Sequence, residues 1–308
     1  MRILIFGGAG YVGQELVKMF SKATHEVAVF DNFSNGDTLA VRRLNKLKNV
    51  TIFQNTIANG SAVEEVITEF NPDVIYNLAA LHYIPYCFEH PDEVFETNYS
   101  GLQNIISCLA KKPHVKFIFA SSASVYGSHP NICNLATECL PNDLYGASKL
   151  SGEYLIKYQL ENYVIMRLFN VYGNQDPHPH LIPKVIKAAV SNQNLNLGTA
   201  IAKRDFIHVN DVANALFVAI NAPSKETYIV ASGKSYSVKE IVEKIYKIAN
   251  SSGIVTYDTI ENIRSKDAPE LMGDASKLES LGWSSSIELD EGLAAAIEEF
   301  RKIEAILI

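Results

Sequence analysis

The sequence has little cysteine and a single tryptophan, and it contains no long apolar run. Its four cysteines, Cys87, Cys108, Cys133 and Cys139, form no Cys-x-x-Cys pair. Neither a disulfide framework nor a thiolate zinc site is therefore expected. No His-Glu-x-x-His or comparable ligand spacing occurs, so no metal is expected. No apolar segment approaches the ~18 residues of a membrane span. The stretch RILIF after Met1 runs straight into glycines; it is too short for a secretory leader, and a cytoplasmic setting is expected. Positive charge is not in excess either. With 27 basic and 34 acidic residues the net charge is −7, and no overall field favours nucleic acid or an anionic membrane. VRRLNKLK (41–48) reads as a solvated helix face.

What is present is a chain of 308 residues, 47% hydrophobic and 20% charged. That is the composition of a globular protein with about two domains. Up to residue 169 two periods alternate. β-rich runs occupy 2–6, 26–30, 50–53, 73–79, 115–120 and 163–169, with helical stretches between them. In one of those stretches Val12, Leu16, Met19 and Phe20 share a face. Strands that are apolar throughout and alternate with helices predict a parallel sheet covered on both faces. Right-handed crossovers make it a doubly wound, Rossmann-like α/β fold.

From about residue 172 the rhythm changes. YGNQDPHPHLIPK (172–184) carries three prolines, a helix is expected over 237–249, and another closes the chain near 289–303. The expected division is 1–171 for a cofactor domain and 172–308 for a smaller C-terminal α/β substrate-binding domain. A segment of about 205–222 returns to the first domain, and the cleft lies between the two.

IFGGAGYVGQEL (5–16) places Gly7, Gly10 and Gly13 between the first strand and the first helix, around Tyr11 and Val12. A pyrophosphate needs a tight turn, a close backbone and a helix N-terminus. A structural strand–helix turn can look the same, but Asp31 ends the second strand where a ribose 2′-hydroxyl ligand belongs. Asp31 would repel a 2′-phosphate, so NAD is expected over NADP, with Arg42 and Arg43 keeping the alternative open. LYGASK (144–149) puts Tyr145 and Lys149 four apart on one helix face. A neighbouring ammonium and a nicotinamide cation would both favour the tyrosinate. Alone, this spacing also fits an ordinary amphipathic helix start. SSASVYG (121–127), after the apolar run KFIFA, adds three serines and no carboxylate.

The Gly-x-x-Gly-x-x-Gly spacing with the Tyr-x-x-x-Lys motif resembles the short-chain dehydrogenase/reductase superfamily. DNFSNG (31–36) resembles its extended, nucleotide-sugar branch, and nearly the whole chain is similar to the UDP-galactose 4-epimerase group. The resemblance implies a catalytic set of Ser122, Tyr145 and Lys149. It adds Asn32, Ser34, Leu78, Ala79, Ala80 and Asn98 to the NAD site, and it assigns Asn170, Arg204, Arg264 and Asp267 to a nucleotide-diphosphate sugar. Guanidinium forks match phosphate oxygens; Arg204 and Asp205 could instead form a structural ion pair. Ser121 reads as a backbone-bonded strand-end residue, His208 as packing, and His178 and His180 as loop residues. The resemblance further implies a homodimer.

There are departures. Thr56 stands where relatives carry an adenine-binding acid, and Asn77 replaces a common histidine. Related 4,6-dehydratases carry an acidic pair or a glutamate just after the Ser/Thr, where this chain has Ala123 and Ser124. The expected activity is therefore NAD-dependent C4 epimerisation of a UDP-hexose through a transient 4-keto sugar. A 4,6-dehydratase or net oxidoreductase is the alternative within the superfamily, and a non-catalytic NAD-sensing protein the alternative outside it.

Overall fold

The computed structural model describes all residues except 35–37, 129–131, 175, 199, 258–268 and 308. All six expected strands form, as β1 (Arg2–Phe6), β2 (Glu26–Asp31), β3 (Val50–Gln54), β4 (Val74–Asn77), β5 (Lys116–Ser122) and β6 (Tyr163–Leu168). A seventh, β7 (Glu226–Val230), comes from the later chain and pairs with β6. The order is β7-β6-β5-β4-β1-β2-β3, parallel throughout. Side-chain alternation sends Ile3 and Ile5 to one layer and Leu4 and Phe6 to the other, and all four are fully buried. The strands read as continuous apolar runs because both faces are covered.

One layer holds the helices Tyr11–Lys22 and Val209–Val218, which supply Leu16, Val17 and Phe20, and Val212 and Leu216. The other holds Gly60–Phe70, the run from Pro91 to Leu109, and Leu144–Gln159. The order of connection reverses between β1 and β4, and a crevice opens at such a switch point beyond the strand C-termini.

The remaining chain builds a second sheet in which Lys203–His208 pairs with Ser235–Ser237, Glu270–Gly273 and Asn170–Tyr172. Ile132–Cys133, which follows β5, joins its edge beside Glu270–Gly273. The helices Leu181–Val190, Val238–Ala249 and Leu289–Leu307 enclose a core of their own. Val238–Ala249 starts where expected because Ser237 and Glu240 form a reciprocal capping box. Two buried acids anchor this region. Asp205, fully buried, accepts from Ser232 N (2.8 Å), Ser232 Oγ (2.6 Å) and Gly233 N (2.9 Å) rather than serving Arg204. Asp211 accepts from Ser286 Oγ (2.8 Å) and Ile287 N (3.0 Å). The single tryptophan, Trp283, is buried and donates to Asp211 O at 3.0 Å. His208 is buried, and its Nδ1 accepts from Asn210 N, so it caps Val209–Val218 as well as filling space.

Candidate active site

A cleft of about 850 Å³ runs along the C-terminal ends of the parallel strands. At one end the turn after β1 supplies Gly7, Gly10, Tyr11, Val12 and Gly13. Gly7 has φ +76°, and a Cβ there would sit 2.6 Å from Ala79 N. A Cβ on Gly13 would meet Gly7 O at 2.2 Å. Both positions require glycine, because the turn, the helix and the β4 loop approach one another this closely. Gly10 caps the helix without any side-chain hydrogen bond, and no acid occupies the first turn. The leading amides thus meet the cleft unclaimed by a capping group, as a diphosphate requires.

Asp31 lines the cleft beside Asn32 and Ser34. Its carboxylate accepts from Ala9 N at 2.9 Å and Phe33 N at 2.8 Å. Burial raises its pKa, and these backbone bonds oppose the rise. Leu78, Ala79 and Ala80 form the opposing wall, and Thr56 faces the same space. Asn98 does not line the cleft. It lies buried in a π-helical turn (Phe95–Gly101). Its Oδ1 accepts from Leu81 N (2.8 Å), and its Nδ2 donates to Leu81 O (2.9 Å) and Ser148 Oγ (3.0 Å). It therefore bears on the cofactor end through the loop it holds, and sequence spacing could not distinguish that role from direct contact.

At the centre stand Ser122, Tyr145 and Lys149, all on the cleft wall. Asp143 N-caps the tyrosine helix by accepting from Gly146 N at 2.7 Å. Ser122 ends β5 and accepts from Ser124 N at 3.1 Å. Lys149 is 4% exposed and donates to Ala120 O at 2.7 Å, with Nζ 4.8 Å from the Phe119 ring centroid. Burial lowers its pKa to about 7. Burial also raises the Tyr145 phenol well above its ordinary range, while a hydrogen bond from Ser122 opposes that rise. Lys149 Nζ lies 5.8 Å from the Tyr145 ring centroid, and in the protein alone burial is the largest influence on the phenol.

Beyond this centre Asn170, Arg204, Phe206 and Leu271 line the far end. Arg264 and Asp267 lie outside the described residues. Sequence reasoning missed a ring cluster between the loop after β4 and the loop after Asn170–Tyr172. His82 and His178 have centroids 4.7 Å apart, Tyr83 stacks on His178 at 5.5 Å, and His180 is 5.8 Å from His82. Burial and the neighbouring imidazoles lower His82 to about 4. Asp176 Oδ2 lies 2.8 Å from His180 Nδ1. His178 and His180 are thus part of the cleft wall, joined to residues almost a hundred positions away, which no local pattern could indicate. Among the described residues no group of His, Cys, Asp or Glu is arranged to hold a metal ion.

A parallel switch-point crevice with a glycine cradle at one end and a Ser–Tyr–Lys set at its centre defines a short-chain dehydrogenase/reductase. The family model for GDP-mannose 4,6 dehydratase matches residues 4–296. The chain is 29% identical to a UDP-N-acetyl-alpha-D-glucosaminuronate decarboxylase of Bacillus cytotoxicus, over 98% of each chain. It is 30% identical to a putative UDP-glucose 4-epimerase of Methanocaldococcus jannaschii, over 96% of this chain and 97% of that one. The crystal structure of the Thermus thermophilus UDP-glucose 4-epimerase in complex with NAD superposes with a TM-score of 0.88 at 26% identity, covering 98% and 99% of the two chains. The chain belongs to the GDP-mannose 4,6-dehydratase family, among the extended NAD-dependent nucleotide-sugar epimerases and dehydratases.

Proposed function

We propose that the protein epimerises a nucleotide sugar at C4, with a UDP-hexose as substrate. The observation that carries the reading is the loop after β5. It offers Ser122 beside Tyr145, and the two residues that follow are Ala123 and Ser124. A hydroxyl pair suits oxidation and reduction at one carbon, because it can serve an alcohol and a ketone alike. Loss of the 6-hydroxyl needs an acid and a base as well. Asp143, which the phenol senses, is tied to its own helix as the N-cap.

In this reading residues 1–171, with the returning stretch about 205–222, hold the cofactor, and 172–308 hold the sugar nucleotide. Gly7, Gly10 and Gly13 seat the NAD diphosphate, and Asp31 takes the adenosine ribose. Bound NAD would supply the hydride acceptor for C4 and the hydride returned to it, and its positive ring would favour the tyrosinate. Tyr145 takes the 4-hydroxyl proton and later gives it back. Ser122 fixes the C4 oxygen for both transfers. Lys149 steadies the tyrosine side of the cleft. Asn170 and Arg204 grip the diphosphate, about which the keto sugar turns over before reduction. UDP-glucose is the substrate in the name of one similar protein, and that supports the hexose.

The test is proton NMR of the purified protein, without added cofactor, incubated separately with UDP-glucose, UDP-N-acetylglucosamine, UDP-glucuronate, GDP-mannose and dTDP-glucose. The expected result is one C4 epimer growing to equilibrium. A new 6-deoxy methyl signal, or loss of carboxyl as carbon dioxide, would replace epimerisation with elimination or decarboxylation. Stoichiometric NADH would mean net oxidation.

A further inference from the structure

Behind the reaction centre lies a buried ion pair that the chemistry above does not use. Glu153 is fully buried, eight residues after Tyr145 and four after Lys149, on the same helix face. Arg167 grips it with Nε on Oε1 at 2.9 Å and Nη2 on Oε2 at 2.7 Å. Burial alone would raise the Glu153 carboxyl, but Arg167 overrides it and holds the carboxyl below its ordinary value. Ser121 donates to Glu153 Oε1 at 2.6 Å, so it is not the backbone-bonded residue expected from its place in the strand.

Ser121 and Arg167 face one another as register partners on β5 and β6. Glu153 therefore pins both members of one cross-strand pair. A fourth contact is Arg167 Nη1 donating to Tyr126 Oη at 2.9 Å, and Tyr126 closes the short turn that begins after Ser122.

Apart from Lys157, whose Nζ lies 3.4 Å from Glu153 Oε2, and Cys139 beside Arg167, the partners of this pair lead into the cleft. The residue after Ser121 is Ser122, and the residues after Arg167 run from Leu168 to Asn170 on the cleft wall. Ala120, just before Ser121, accepts from Lys149. A pair of buried charges is poorly explained by stability, since apolar residues of similar volume commonly do as well or better. Charge-assisted, bidentate bonds do, however, fix distance and angle more closely than apolar contact can.

We propose that Glu153 and Arg167 are positioning residues which, through Ser121 and Tyr126, hold Ser122 at hydrogen-bonding distance from Tyr145. This rests on Ser122, Tyr145 and Lys149 being the reaction centre. The link carried by the Ser121 hydroxyl can be cut with little change of volume.

Ser121→Ala and Ser121→Thr would be compared in the NAD complex, with tyrosine labelled at ¹³Cζ and the Tyr145 resonance assigned by its absence from Tyr145→Phe. Losing one hydrogen bond to the phenolate moves its titration up by about one pH unit. About tenfold less tyrosinate is then present near neutral pH, so kcat falls about tenfold with KM unchanged. Ser121→Thr, which keeps the hydroxyl, should retain the native titration. An unmoved Tyr145 titration and an unmoved acidic limb of kcat in Ser121→Ala, with only the melting temperature lowered, would reduce the network to a structural one and overturn the proposal. The titration needs no sugar. A shifted resonance in an enzyme that turns over none of the five nucleotide sugars would sink the C4 reading and leave the positioning role standing.

Discussion

Lys149 shows how far burial governs a single residue. Its folded value of about 7 lies well below the ordinary 10.5. Between those values the unfolded chain binds more protons, so stability rises with pH from 7 towards 10.5. Below pH 7 the whole cost of holding an ammonium in the interior is present. Lys149→Met should therefore melt about 1–2 °C higher at pH 7, on the scale of 1 kcal/mol in a chain of this size, and should flatten the pH dependence. Its activity should be lost, which calorimetry and turnover on one sample would show together. Tyr145→Phe keeps the ring and removes the proton acceptor, so at least a ~100-fold fall in kcat is expected. Near-native turnover would remove Tyr145 from the chemistry.

At the scale of elements the cradle depends on backbones meeting without side chains between them. A methyl at Gly13 would lie 2.2 Å from Gly7 O and 2.7 Å from Gly8 Cα, and neither neighbour is a side chain that could swing away. Gly13→Ala should cost about 1–3 kcal/mol of stability through overpacking. It should also purify with little NAD, read as a lowered 260/280 nm absorbance ratio beside the native protein. Gly10 is less confined, since a Cβ there meets only Gly7 O, at 3.2 Å. Gly10→Ala should leave the melting temperature nearly native while still weakening NAD retention. The contrast separates packing of the turn from approach of the diphosphate.

At the scale of the whole molecule, the helix Ile84–Glu89, the helical run from Pro91 and the helix Leu144–Gln159 turn aromatic residues outward. Phe88, Phe95, Tyr154 and Tyr158 are 66, 61, 65 and 92% exposed. Large apolar side chains left exposed are a common mark of protein–protein contact where they lie together. A homodimer through these helices is the expected state, so light scattering during gel filtration should return about twice the 34.1 kDa of the chain. Phe95→Lys with Tyr158→Lys should return a single chain, and a native protein already at that mass would end this expectation. The described helices include none long and apolar enough to cross a membrane.

The parts of this protein legible in its sequence are those whose chemistry demands a fixed spacing along the chain. Three glycines three apart, an acid at the end of the next strand, and a tyrosine four before a lysine each occupy one turn or one helix face. Six strands were legible for the same kind of reason, as apolar runs bounded by turns. Tertiary structure alone decided what depends on residues far apart. β7 arrives after the chain has built part of the second sheet, and its five residues look like any short apolar run. Asn98 bears on the cleft through Leu81 and Ser148 rather than by lining it. His82 meets His178, and Ser121 meets Glu153 and so Arg167, only after the sheet has closed. Protonation was decided there as well. A sequence states which groups can titrate, but burial and partners set where they do, and these exist only once the chain has folded.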